Sequence, residues 1–112
     1  AFSPGNEVNG LSLCGVGAGT TIDHIQVSYC GDDSYEWFGG NVNSKYLVSY
    51  RGWDDDFDTD CGYSGKNQFV FGLRDPYAAD QSGSKAFEND SYLSGTNSGL
   101  LTDTNPKAPL TY

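Results

Sequence analysis

The chain has 112 residues, 37% of them hydrophobic, and a formal net charge of −9. That length limits it to one domain, and so acidic a balance excludes the clustered Lys and Arg that nucleic-acid backbones require. Fifteen glycines, 14% aromatic residues and no methionine describe short strands joined by many turns, an all-β class.

Residues 1 to 10 carry Pro, Gly and two Asn and read as a connector. They lack the charged start and apolar centre of a signal peptide, no run in the chain has the length of a transmembrane segment, and there is no initiator Met. A mature, processed or excised piece is therefore expected. Leu11 to Val16 alternates apolar with small residues as a half-buried strand does, and Gly17-Ala18-Gly19 turns the chain. Cys14, Cys30 and Cys61 are odd in number and match no zinc spacing, so at most one internal disulfide is expected, with burial as the main use of the thiols.

Beyond that turn a pattern recurs. The stretch from Ile22 to Asp33 is followed about 21 positions later by Ser44 to Asp55, with Val27-Ser28-Tyr29 superposed on Val48-Ser49-Tyr50. With one extra residue allowed at Trp53, Tyr35-Glu36 falls on Phe57-Asp58 and Gly40 on Gly62. A third copy runs from Gln68 through Arg74 to Phe87-Glu88. Strand-and-turn units of about twenty residues are what a coiled β-solenoid requires, because one coil cannot close a core alone. The spacing predicts a parallel β-helix segment of about three to four coils over residues 1–90, with an antiparallel sandwich as the rival. Residues 91–112, rich in Ser, Thr, Gly, Asn and Pro, read as an irregular loop or tail.

Chemistry concentrates between Arg51 and Gly62, where Asp54, Asp55, Asp56, Asp58 and Asp60 crowd together. In an extended chain Asp54, Asp56, Asp58 and Asp60 would share one side, and such a comb suits a hard cation with oxygen ligands, calcium above all. A solvated acidic loop is the plain alternative. An EF-hand loop starting at Asp56 fails, because Cys61 and Asn67 stand where Gly and Glu are needed. If Glu36 stacks on Asp58, a carboxylate pair forms on adjacent coils, suited to a shared metal or to glycoside hydrolysis. Trp37, Trp53, Tyr35 and Tyr63 are the aromatic candidates for stacking on a sugar or a protein, with Trp37 and Trp53 expected to expose their rings. Phe38, Phe57 and Phe69 are expected in the core. His24 lies between apolar strand residues and is expected as a packed or edge histidine.

At Gly19 to Tyr29, Gly31 to Gly40 and Tyr50 to Asp60 the chain resembles a family of secreted or outer-membrane-associated Bacteroidota proteins. The resemblance covers about residues 10 to 90. It implies a right-handed parallel β-helix, a few coils cut from a longer protein, and a secreted or surface-attached location. At fold level it extends to polysaccharide lyases, in which calcium assists a Lys or Arg base. Arg51, Lys66 and Arg74 are the candidates for such a base here, although pairing with aspartates explains Arg51 more simply. The expected function is a binding or structural module with a calcium site, engaging glycans or proteins. A polysaccharide-degrading enzyme and a coil of a self-associating fibre are the alternatives.

Overall fold

The structure, a computed structural model, describes residues 5–90; the predicted irregular segment 91–112 lies outside the described residues. Seven strands form in chain order: β1 (Leu11–Cys14), β2 (Ile22–Ser28), β3 (Tyr35–Phe38), β4 (Ser44–Tyr50), β5 (Phe57–Asp60), β6 (Asn67–Leu73) and β7 (Phe87–Asn89). They make two sheets, ordered β1-β3-β5-β7 and β2-β4-β6, and every pairing is parallel. The chain thus crosses from one sheet to the other and returns one level higher, giving three coils and the first strand of a fourth. This is the expected all-β parallel β-helix, and parallel pairing removes the antiparallel sandwich.

In the first sheet the register is the one the repeat predicts, with Tyr35 on Phe57 and Glu36 on Asp58. In the second it is not. Val27 pairs with Ser49 and Gln26 with Val48, one residue away from the superposition of the identical triplets. Side chains alternate faces along a strand, so a slip of one residue would have turned a core valine outward. Val27 packs against the core together with Ile25 and Val70, and the inward Ser49 is fully buried. Packing, not identity, sets the register.

The coil bends where left-handed residues recur at equivalent positions: His24, Tyr46 and Phe69 have φ of 53°, 55° and 57°. Each non-glycine residue in this conformation costs about 1 kcal/mol or more, and ring contact offsets part of it. The His24 and Tyr46 centroids are 4.6 Å apart, those of Tyr46 and Phe69 5.0 Å. At Gly40, φ is 81° and an added Cβ would lie 2.5 Å from the Val16 carbonyl oxygen, so a side chain is excluded there.

Between the sheets sit Leu13, Tyr35, Trp37, Val42, Leu47, Phe57 and Tyr63. Aromatic rings stack along the axis, Tyr35 on Phe57 at 5.4 Å and Phe57 on Phe87 at 5.3 Å. The Tyr35 hydroxyl reaches the carbonyls of Ile25 at 2.8 Å and Val48 at 3.0 Å, tying the sheets together. A buried polar chain runs beside it: Ser34 and Ser49 hydroxyls lie 2.7 Å apart, Ser49 donates to Asp56 at 2.6 Å, and Arg74 lies 3.4 Å from Asp56. At the last coil Phe69, Phe71, Leu73 and Phe87 are exposed, because no described strand pairs beyond β6 or β7. Phe69, expected in the core, faces outward from its left-handed bend; Phe57 is in the core as expected.

Candidate metal centre

The acidic run does not stay extended. Only Phe57–Asp60 is strand, so of the anticipated comb only Asp58 and Asp60 share the outward row. Asp54, Asp55 and Asp56 form the corner before it and go separate ways. Asp54 accepts the Ser82 hydroxyl at 2.8 Å. Asp55 accepts the Lys85 backbone N–H one coil higher. Asp56 turns inward to Ser49 and Arg74. One coil below, Asp33 accepts the Asp55 backbone N–H at 2.9 Å, so the two corner carboxylates bind successive coils together.

What the fold does assemble is a wall of carboxylates across coils. Glu36, Asp58 and Glu88 are directly paired positions of β3, β5 and β7, stacked in one outward row. Asp33 and Asp55 flank that row from the corners. Two groups result, Asp33 with Glu36 and Asp58, and Asp55 with Asp58 and Glu88, each with oxygens within 4.8 Å of one another. Two oxygens on one calcium ion lie at most about 5 Å apart, twice the calcium–oxygen distance, so either group fits. A third group, Asp32, Asp33 and Asp54, lies at the corner.

Asp58 belongs to both wall groups. It is 6% exposed, and its Oδ1 is buried with no hydrogen-bond partner among the described residues. A buried carboxylate oxygen without a donor is costly, so this is where a cation would relieve most. Burial, then the neighbouring acids, pushes most of these carboxyls up: Asp33 to about 8, Glu36, Asp55 and Asp58 to about 7, Asp60 to about 6. For Asp58 the acids are Asp60, Glu36, Glu88 and Asp55. Glu88 is held low by hydrogen bonds from Asp55 and then Lys85, whose amino group lies 2.8 Å away.

The other predicted residues are elsewhere. Trp37, expected to expose its ring, is completely buried, as is Tyr35, and Tyr63 nearly so; Trp37 packs against both. Core alternation on β3 turns Tyr35 and Trp37 inward, and the flanking charges that suggested exposure occupy the outward positions instead. Trp53 is half-buried at the corner, where its carbonyl accepts the Ser84 hydroxyl. Arg51 lies 3.8 Å from Asp75 and over the Tyr50 ring. Arg74 is tied to Asp56 and donates to the Lys85 carbonyl. Lys66 is exposed on the far rim of the second sheet. The basic side chain that meets the wall is Lys85, which sequence reasoning missed together with Asp33 and Glu88 as wall members. The repeat carried the signal, since Asp33 aligns with Asp55, and Glu88 with Asp58. His24 is exposed, beside Asp23. None of the three cysteines is in a disulfide; Cys30 is buried and donates toward the Val8 and Asp33 carbonyls, while Cys14 and Cys61 are exposed, so burial describes one of them.

No helix among the described residues is long and apolar enough to cross a membrane. No curated protein and no solved structure matches the chain. A family model described as a pectate-lyase-like β-helix domain matches residues 1–108. With every pairing among the described strands parallel and nearly the whole length matched, the chain belongs to the pectate-lyase-like β-helix domain family.

Proposed function

We propose that the chain is a secreted or surface-attached β-solenoid binding module whose carboxylate wall holds calcium and stiffens the coils that engage glycans or proteins. The carrying observation is Asp58, buried, shared by two carboxylate groups, with one oxygen lacking a donor among the described residues. The donors are all oxygens, which favours calcium or magnesium over softer metals. Magnesium keeps most of its water, so a buried cluster from three coils favours calcium. Asp33, Glu36, Asp55, Asp58 and Glu88 would supply the ligands; Asp60 continues the row, and Asp54 and Asp56 are engaged by Ser82 and by Ser49 with Arg74. The ion would neutralise the wall and cross-link successive coils. Calorimetric titration with calcium and magnesium at neutral pH tests this: saturable calcium binding that is lost in Asp58→Asn supports it, and no binding in either protein removes it.

The lyase alternative needs an unprotonated base beside the ion. Arg51 and Arg74 are paired elsewhere, Lys66 is on another face, and Glu88 raises the Lys85 amino group, keeping it charged. A binding role fits these positions better than proton abstraction. Incubation with acidic polysaccharides checks it, and steady unsaturated product would overturn the binding-only reading. The fibre alternative has a specific observation in its favour, the apolar Phe69, Phe71, Leu73 and Phe87 at the open strand edges β6 and β7. Sedimentation that shifts with concentration would support it, and a strictly monomeric protein would remove it.

A further inference from the structure

The second sheet carries a separate polar groove of about 400 Å³, and none of its lining residues belongs to the carboxylate wall. It forms where β2, β4 and β6 begin, with the Asp23, Lys45 and Gln68 positions paired across the three strands. Two of the chain's six basic residues, Lys45 and Lys66, line it, opposed by the single carboxylate of Asp23. In a protein of net charge −9 that is a local excess of positive charge. Such a reversal attracts anions that the rest of the surface repels.

The groove is preformed. Asn43 accepts the Lys66 backbone N–H at 3.1 Å, and Ser44 donates its backbone N–H to the Lys66 carbonyl at 2.9 Å, fixing the rim between coils. Ser44 also lines the groove; it is 2% exposed, with a hydroxyl lacking a hydrogen-bond partner among the described residues. Gln68 and Asn43 add amide groups that both donate and accept. Lysine ammonium groups beside amides and a carboxylate suit a ligand carrying one negative group among several hydroxyls. The adjoining positions His24, Tyr46 and Phe69 form the ring row on the same side. A polyanion would meet Asp23, and a plain hydrocarbon would strand the polar lining.

We propose that this groove is a binding site for a saccharide bearing one anionic substituent, with Lys45 and Lys66 contacting the anion and Asn43, Gln68 and Asp23 the hydroxyls. The site extends the glycan part of the proposed function to a stated place and ligand class, and it stands apart from the calcium wall. The test is a nitrogen–proton NMR titration of the whole chain, kept in chelator so that the wall plays no part. The probes are glucose sulfated at its primary hydroxyl, glucuronate and unmodified glucose. The expected result is saturable shifts at Asn43, Ser44 and Lys66 with one or both charged sugars, and affinity for glucose lower by about tenfold or more. Lys66→Gln should weaken the charged sugar about tenfold, leaving thermal stability and the calcium titration as in the wild type. Which charged sugar binds more tightly identifies the substituent. The proposal is overturned if no probe shifts these amides, if glucose binds as tightly as the charged sugars, or if Lys66→Gln leaves affinity unchanged. Failure of calcium binding alone would leave it standing.

Discussion

Replacing Asp58 with Asn keeps the size of the side chain and removes one charge from the middle of the wall, so its effect should change sign with calcium. Without metal, the Asp58 carboxyl titrates near 7 instead of 3.8. At about 1.4 kcal/mol for each tenfold change, its ionisation above neutral pH opposes folding by at most about 4 kcal/mol. Asp60, Glu36, Glu88 and Asp55 share that repulsion and solvent screens part of it, so about 1–3 kcal/mol is expected. Metal-free Asp58→Asn should therefore be more stable than wild type by that amount at pH ~8 and by only about 0.6 kcal/mol at pH ~4, where the folded side chain is neutral and the unfolded one just over half ionised. With calcium at about one hundred times its dissociation constant, wild type gains about 2.7 kcal/mol and the variant should gain little. Urea unfolding in chelator and in calcium, at both pH values, measures all four differences. A variant less stable than wild type in chelator at pH ~8 would refute the reasoning, because it would mean that Asp58 is a satisfied carboxylate needing no cation.

The same shifts fix the pH dependence. Carboxyls raised in the fold bind more protons than the unfolded chain between about pH 4 and 8, so metal-free stability should fall as pH rises through that window; thermal melts check it, and a rise would contradict the assigned burial. Calcium must displace those protons, so its affinity should increase from pH ~6 to ~8 with proton release, measured by calorimetry in buffers of different ionisation heat. Ser49→Ala removes the donor between Ser34 and Asp56 and should cost about 1–3 kcal/mol in urea unfolding, leaving calcium binding intact. Trp37→Ala should cost about 3–5 kcal/mol as a core deletion, and a loss confined to ligand affinity with unchanged stability would restore the exposed-ring reading. Gly40→Ala should destabilise by more than about 1 kcal/mol, since the backbone is left-handed and the Val16 carbonyl occupies the space.

Much of the fold was legible because a solenoid writes its geometry as a period. Tyr35-Glu36 over Phe57-Asp58, and Phe87-Glu88 beyond them, was readable without coordinates. The second sheet was misjudged by one residue because identical triplets are a chemical coincidence, whereas pairing follows which side chain reaches the core. Val27 and Val48 look alike and face opposite ways. The site was partly legible for the same reason. A local comb of aspartates assumes an extended chain, and the corner at Asp54 to Asp56 breaks that assumption, sending one carboxylate inward to Ser49 and another to the next coil's backbone. The wall instead forms between coils, from residues about one turn apart in sequence. Trp37 was misplaced because neighbouring charge says little about burial when successive side chains point to opposite faces.

Diffraction from crystals grown in calcium, recorded where calcium scatters anomalously, addresses the carboxylate wall most directly. An anomalous peak coordinated by Asp58, with either Asp33 and Glu36 or Asp55 and Glu88, is the predicted result. Saturating calcium with no peak against Asp58, or a peak confined to Asp32 and Asp54 at the outer corner, would contradict it.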